Sequence, residues 1–344
     1  MALLFMFLCL NADPDFETRQ VFEPIPTDSD LFLLGVDDIA VGSDGRTYVL
    51  DSRSYRIHVW NADGGYLKSF GKQGQGPGEF DFQNNSNALE FQGNNLYVFD
   101  SATGKVTILD EEGGYFHAFT LDVGRRLVPL FAVVDPETLL IGNASWGDPG
   151  FRRLATYDTS GELKRNLVQI EDKTWRNTTE NGQRHVTLII YSTTLMTGFD
   201  DMRGEVLTGD NATNKVQISD LNGKPIRELS LELVRGDMTP EIKKNWLEMP
   251  WFKQQSFYKL DFPKRLPTYN QIVCFDEGFA FFVQVTTDKV SKGIITDREG
   301  KTLRRFDTVF GQSGGLFGSN GELFTVRADD LGDLTIFRVS AGKP

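Results

Sequence analysis

From about residue 36 onward, apolar and polar positions alternate with period two over short runs, and Asp-Gly, Gly-Asn or Asn-Gly pairs separate the runs. Such runs read as β-strands joined by tight hairpins. The pattern also repeats. Gly45-Arg46-Thr47-Tyr48-Val49-Leu50-Asp51-Ser52 aligns without a gap with Asn94-Asn95-Leu96-Tyr97-Val98-Phe99-Asp100-Ser101, 49 residues on. The alignment continues through Arg56-Ile57-His58-Val59-Trp60 against Lys105-Val106-Thr107-Ile108-Leu109, and through Gly64-Gly65-Tyr66 against Gly113-Gly114-Tyr115. Further copies start at Glu205-Val206-Leu207-Thr208-Gly209-Asp210 and include Gly293-Ile294-Ile295-Thr296-Asp297. Weaker ones contain Thr138-Leu139-Leu140-Ile141 and Gly321-Glu322-Leu323-Phe324.

Each unit reads as four strands. One such sheet cannot bury both of its faces alone, but units stacked around an axis can. The expected fold is therefore all-β: a six-bladed β-propeller with four-stranded blades near 36–70, 87–120, 128–170, 195–231, 270–306 and 314–339. The last unit ends soon after its third strand. An alternating N-terminal stretch near 16–23 is predicted to supply its fourth strand, closing the ring and hiding a sheet edge. Two stretches break the period. Residues 171–194, with Trp175, Asn177 and His185, are predicted to be a long polar connection. Residues 234–268 form an insert between blades 4 and 5 that is partly helical, since Thr239 can cap, Pro240 suits the first helical position and Glu241 the first turn. Trp246, Leu247, Trp251 and Phe252 make that insert aromatic.

Composition narrows the picture. Hydrophobic residues make up 40% of the 344 positions and charged residues 24%, which places the chain among globular proteins. A net charge of −12 with scattered basic residues argues against a nucleic-acid partner. The apolar run Ala2 to Leu10 is too short to span a bilayer as a helix. It resembles the core of an export signal, so residues 1–12 are expected to be an export segment and 13–344 a single propeller domain outside the cytoplasm. That core lacks a preceding Lys or Arg and a small residue at Leu10, and Cys9 follows a large Leu8 where a lipoprotein signal needs a small residue. No transmembrane span is expected elsewhere, and a monomer is the expected state. Cys9 and Cys274 make no disulfide framework, and Cys274, in Ile272-Val273-Cys274-Phe275, reads as a buried, inert thiol.

The units resemble NHL repeats. Tyr48-Val49-Leu50-Asp51, Arg56-Ile57-His58-Val59-Trp60, Gly65, Leu67 and Phe70 carry the resemblance, and the linker Gly74-Gln75-Gly76-Pro77-Gly78-Glu79-Phe80 adds to it. It is similar to the bridge between blades of bacterial, exported, six-bladed NHL-like propellers. The resemblance spans nearly the whole chain as fold and is specific over roughly the first third. It implies either a binding or scaffold protein, or an enzyme of the amidating-lyase, strictosidine-synthase-like or gluconolactonase-like kind. Fold alone does not choose between these.

The chemistry is sparse. Metal-dependent lyases of that resemblance use several channel histidines, whereas this chain has His58 and His117, read as outer-strand side chains, and His185 in an irregular connection. Calcium is the one metal weighed, with Asp38 and Asp201 as its candidates near the inner strands. Asp51, Asp100 and Asp210 end second strands, where Asp accepts turn N–H groups. The loops there share one mouth of the ring, so Arg53, Tyr55, Asp100, Trp146, Arg152, Asp210, Asn211, Lys289 and Arg327 are expected to form a polar and aromatic rim binding a small molecule, glycan or protein. No Gly-x-Ser-x-Gly pattern exists, and Gly71–Gly78 carries no Gly-Lys-Ser or Gly-Lys-Thr sequence of a phosphate loop. The expected function is an extracytoplasmic binding propeller. The alternative is a channel-mouth lyase or hydrolase using calcium.

Overall fold

The computed structural model describes residues 16–26, 32–82, 87–101, 103–121, 127–145, 150–172, 174–180, 183–189, 194–248, 253, 258–285, 290–309, 315–329 and 332–340. Strand β1 (Glu17–Val21) comes first. Blade 1 follows as β2 (Asp38–Val41), β3 (Thr47–Asp51), β4 (Arg56–Trp60) and β5 (Tyr66–Phe70). Blade 2 is β6 (Ala88–Gln92), β7 (Asn95–Asp100), β8 (Lys105–Asp110) and β9 (Tyr115–Thr120). Blade 3 is β10 (Leu127–Asp135), β11 (Thr138–Ser145), β12 (Phe151–Tyr157) and β13 (Leu163–Glu171). After β14 (Trp175–Glu180) and β15 (Gln183–Ile189), blade 4 is β16 (Leu195–Asp200), β17 (Glu205–Asp210), β18 (Lys215–Ser219) and β19 (Pro225–Ser230). Helix α1 (Pro240–Glu248) and β20 (Tyr258–Asp261) precede blade 5, which is β21 (Gln271–Phe275), β22 (Gly278–Val285), β23 (Val290–Thr296) and β24 (Thr302–Val309). Blade 6 is β25 (Gly315–Ser319), β26 (Glu322–Ala328) and β27 (Leu334–Ser340), completed by β1 in antiparallel register, Glu17 opposite Ser340 and Val21 opposite Phe337.

The first strands of the six blades lie side by side in one closed cycle, β2, β6, β10, β16, β21, β25 and back to β2. The chain is thus an all-β, six-bladed propeller with four-stranded blades. Period-two side-chain geometry explains why it closes. Successive residues of a strand point to opposite faces, and here both faces meet a neighbouring blade. On β3, Tyr48 and Leu50 join the apolar cluster shared with blade 2, while Val49 joins the cluster shared with blade 6. On β22, Phe279 and Phe281 pack toward blade 4, and Ala280 and Phe282 toward blade 6. Each of the six blade junctions carries a cluster of this kind. Glycine matters where inner strands press together: a Cβ on Gly318 of β25 would run into the Cys274 carbonyl of β21.

Helix α1 forms as expected, with the Ile242 amide donating to Thr239 Oγ1 at 3.2 Å and Pro240 at its start. Ile242 packs with Met238, Leu266 and Val283, so the insert is fixed to blade 5 at the end where β22 finishes. Trp251 and Phe252 lie outside the described residues. One expectation is corrected. Residues 171–194 are not an irregular connection: β14 and β15 form a hairpin, and β20 of the insert pairs parallel to β15, Val186 opposite Tyr258. His185 is therefore a strand residue. The Asn181-Gly182 pair between the two strands is the sequence signal for that hairpin, whereas the parallel partner β20 arrives across a long stretch of chain and leaves no local pattern. Among the described residues no helix is long and apolar enough to cross a membrane.

Candidate functional site

The inner strands enclose a cavity of about 640 Å³ along the ring axis, walled by residues of all six blades. Its mouth lies where the inner strands begin, beside Gly35, Ser52, Arg53, Asn87, Arg152 and Asn270. The insert and the β14–β15 hairpin sit at this same end: Val283 carries the helix there, and Arg152 Nη2 donates to Thr174 Oγ1 at 3.3 Å. Deeper, Leu130, Ile272, Phe199 and Phe317 supply apolar wall, interrupted by Asp38, Glu90, Thr197, Gln271 and Cys274. Asp201 and Ser319 lie toward the far end, where the inner strands finish.

Of the nine rim residues expected from the sequence, Arg53 and Arg152 reach this cavity. Arg53 is exposed on the turn after β3 and donates from Nη1 to the Leu34 carbonyl at 3.1 Å. Arg152, in β12, lies 3.5 Å from the buried Asp172 carboxylate. The others are structural or lie elsewhere. Tyr55 stacks on Phe82 at 6.4 Å and accepts from Gln73 Nε2. Asp100 is buried and accepts the Asp81 amide at 3.1 Å, tying the linker to blade 2. Asp210 accepts the Ala212 amide at 2.9 Å in a turn. Asn211 is buried and accepts the Thr194 amide at 2.7 Å, fixing the start of the inner strand of blade 4. Arg327, on β26, is half-buried outside the cavity wall, and burial pushes its guanidinium down from its ordinary value. Trp146 and Lys289 lie outside the described residues. Recurrent turn Asp residues are thus spent on backbone N–H groups, as their side-chain length favours.

The two candidate calcium ligands do not converge. Asp38 accepts the Ile39 amide through Oδ1 and the Leu89 amide through Oδ2, both at 2.9 Å, and so fastens blade 1 to blade 2. Asp201 accepts the Met202 amide and, from blade 6, the Asn320 amide, both at 2.8 Å. Among the described residues no three His, Cys, Asp or Glu side chains gather as a metal cluster. His117 is exposed on the outer strand β9, but His58 is not an outward-facing side chain. It is fully buried in β4, with Nε2 3.8 Å from Asp51 Oδ2 and Nδ1 3.5 Å from the Tyr66 hydroxyl. Cys274 is half-buried and faces the channel instead of lying sealed in a core.

Electrostatics single out the channel's depth. Burial pushes the Asp38 carboxyl up to about 7 against the pull of its two amide donors. Burial, then repulsion from Asp201 and Asp38, pushes Glu90 well above the carboxylate range. Burial, with Asp200 nearby, raises the Cys274 thiol well above its usual value. Asp37, at the mouth, is raised by burial although Ser52 donates to it.

With that geometry in place, comparison with known proteins is informative. The family profile described as 6-bladed beta-propeller, DUF5128, matches residues 21–246. The chain belongs to this family. Two solved structures share the ring of this DUF5128 propeller. One is a Bacteroides fragilis protein named for its expected export, 13% identical, covering 97% of this chain and 98% of its own with a TM-score of 0.56. The other is a member of the DUF4221 family from Bacteroides vulgatus, 12% identical, covering 94% and 97% with a TM-score of 0.57. At such identities the likeness is one of fold. No curated protein matches the chain.

Glu90, a strongly raised channel carboxyl of the DUF5128 propeller, was not among the residues expected from sequence. A signal for it exists: Ala88-Leu89-Glu90-Phe91 puts one charge in the middle of an inner strand with apolar neighbours.

Proposed function

We propose that this chain is an extracytoplasmic, NHL-like propeller that binds a small ligand in the central channel. The channel itself carries the reading: a concave site of about 640 Å³, apolar over much of its wall, with a few convergent polar groups and the two arginines at its mouth. That size and make-up fit a small-molecule site. Perturbed carboxyls inside a cleft support it further. Export is supported by the apolar run Ala2 to Leu10 and by the name of the Bacteroides fragilis neighbour. In this reading residues 1–12 are the export segment and 13–344 the propeller domain. The calcium-dependent form of the lyase or hydrolase alternative needs convergent ligands, and among the described residues no three His, Cys, Asp or Glu side chains gather.

The test is a thermal-shift panel of amino acids, short peptides, neutral sugars and sugar acids. A ligand that binds the folded state alone raises Tm in a saturable way. At least one class is expected to do so, with the shift reduced in Arg53→Glu, a substitution at an exposed position. A flat panel contradicts the reading.

A further inference from the structure

We propose that the channel takes a small zwitterion, an amino acid or short peptide with free termini, ammonium end inward at Glu90 and carboxylate outward at Arg53 and Arg152. The proposal rests on the channel being the ligand site and names the ligand's chemistry.

The first support is the order of charge along the axis. Among the described residues lining the cavity, the bases are Arg53 and Arg152, both at the mouth. The acids begin beside them with Asp37 at the mouth and continue below, where no base follows among the described lining residues. Asp38 reaches the level of Leu89 through its bond to that amide, Glu90 is the next residue along β6, and Asp201 follows the end of β16 at the far end. The lip is thus of mixed charge, with an exposed arginine to meet an anion, whereas the depth is acidic and favours a cation over an anion. A molecule carrying both charges, cation first, satisfies both ends.

The second support is that the acids differ in what they already hold. Asp38 and Asp201 each accept the amide of the next residue and one amide from another blade, Leu89 and Asn320 respectively, and so fasten blade to blade. Glu90 performs no such fastening. Among the described residues the donor acting on its carboxylate is the amide of its neighbour Phe91. A carboxylate offers about four acceptor positions, so Glu90 has capacity for the three N–H donors of an ammonium group.

The third support is energetic. A carboxylate taken out of water is costly unless it gains a counter-charge and hydrogen bonds. Glu90 is partly exposed on the channel wall, and burial by that wall, then repulsion from Asp201 and Asp38, holds its carboxyl well above the ordinary range. A bound ammonium supplies the missing counter-charge. Between the two ends, Leu130, Ile272 and Phe317 offer apolar wall to the ligand's backbone or side chains. A sugar acid would neutralise the lip but leave the inner carboxyl unmatched.

The experiment is titration calorimetry on the full chain at pH 7.5 with triglycine, N-acetyl-triglycine and triglycine amide. Triglycine is expected to bind saturably. N-acetylation, which removes the ammonium, is expected to weaken binding at least tenfold. Amidation is expected to weaken it only a few-fold, because the arginine lip is open to solvent and salt. Glu90→Gln is expected to weaken triglycine at least tenfold without lowering Tm. The sign follows from linkage. Glu90's raised value in the folded state means its contribution to stability is present below the unfolded carboxyl range and lost as pH rises through the folded value. A neutral amide escapes that loss. Equal binding of acetylated and free peptide overturns the proposal, and this arm uses the wild-type chain alone. If no peptide binds but a sugar or sugar acid from the panel shifts Tm, the zwitterion proposal falls and the channel reading stands. If nothing binds, both fall.

Discussion

A chain that begins at Pro24 is expected not to reach a stable monomeric ring. The segment lost is β1 with its flanking aromatics. Phe16 is buried against Phe306, ring centroids 5.5 Å apart, at the junction of blades 5 and 6. Phe22 is buried at the junction of blades 6 and 1, edge-on to Trp60 at 6.2 Å and tilted on Phe324 at 6.1 Å. Its amide donates to the Ile336 carbonyl at 3.0 Å. The Trp60 indole donates to the Glu23 carbonyl at 2.8 Å, so the closing segment also satisfies a buried donor of blade 1. Removing a buried Phe costs about 3–5 kcal/mol. Two of them reach the size of a whole domain's stability, about 5–15 kcal/mol. The cut would also strip β27 of its partner and leave an open edge next to exposed aromatics, which invites aggregation. Size-exclusion chromatography with far-ultraviolet circular dichroism reads the outcome. Aggregated or unfolded material is expected. A monomer melting like the wild type would show that β1 does not close the ring.

Asp51→Ala is expected to cost about 3–5 kcal/mol, the range for breaking a buried charged network by removing one partner. Asp51 is fully buried. Its Oδ2 accepts the Leu34 amide at 2.8 Å, and its Oδ1 accepts the Arg53 and Ser54 amides at 3.0 and 3.3 Å. Alanine would strand these donors, each a penalty of about 1–3 kcal/mol when left buried. Acid should narrow the difference. Burial works to raise the carboxyl, but His58 and the donors at Leu34 and Ser54 outweigh it and hold it below its ordinary value. A depressed carboxyl contributes stability that is present above its unfolded value, about 3.9, and lost as pH falls through its folded value. Urea unfolding of wild type and variant at pH 7 and at pH 3 should show a gap that shrinks in acid. An equal gap at both pH values would contradict this account of Asp51.

The blades were legible because each junction needs the same thing. Tyr48, Val49 and Leu50 are matched by Tyr97, Val98 and Phe99 since both triplets fill two junctions at once, and that demand repeats at the period of the blade. Helix α1 was legible from its cap. The hairpin of β14 and β15 carries the Asn181-Gly182 signal between its strands, but its mostly polar positions hide the strand pattern, and its third strand arrives from the insert without a local sign. The site was legible only in part. Arg53, on a turn, and Arg152, in β12, line the cavity mouth, but Asp100, Asp210 and Asn211 hold backbone amides instead, a choice set by turn geometry that chain position does not reveal. Glu90 escaped notice because the channel side of an inner strand is defined by the curvature of the ring, and sequence alternation alone does not say which edge faces the axis.

Cys274 offers the most direct measurement of whether a ligand occupies the channel, since it lines the cavity and its raised thiol makes it a slow, quantifiable reporter. In a Cys9→Ser background, alkylation of Cys274 should be slow at pH 8 and rapid in denaturant. Adding the compound that gives the largest thermal shift should slow the native reaction further, with a concentration dependence that matches the Tm shift. A compound that stabilises the protein at saturation while leaving the Cys274 rate unchanged would place the ligand outside the channel and contradict the account.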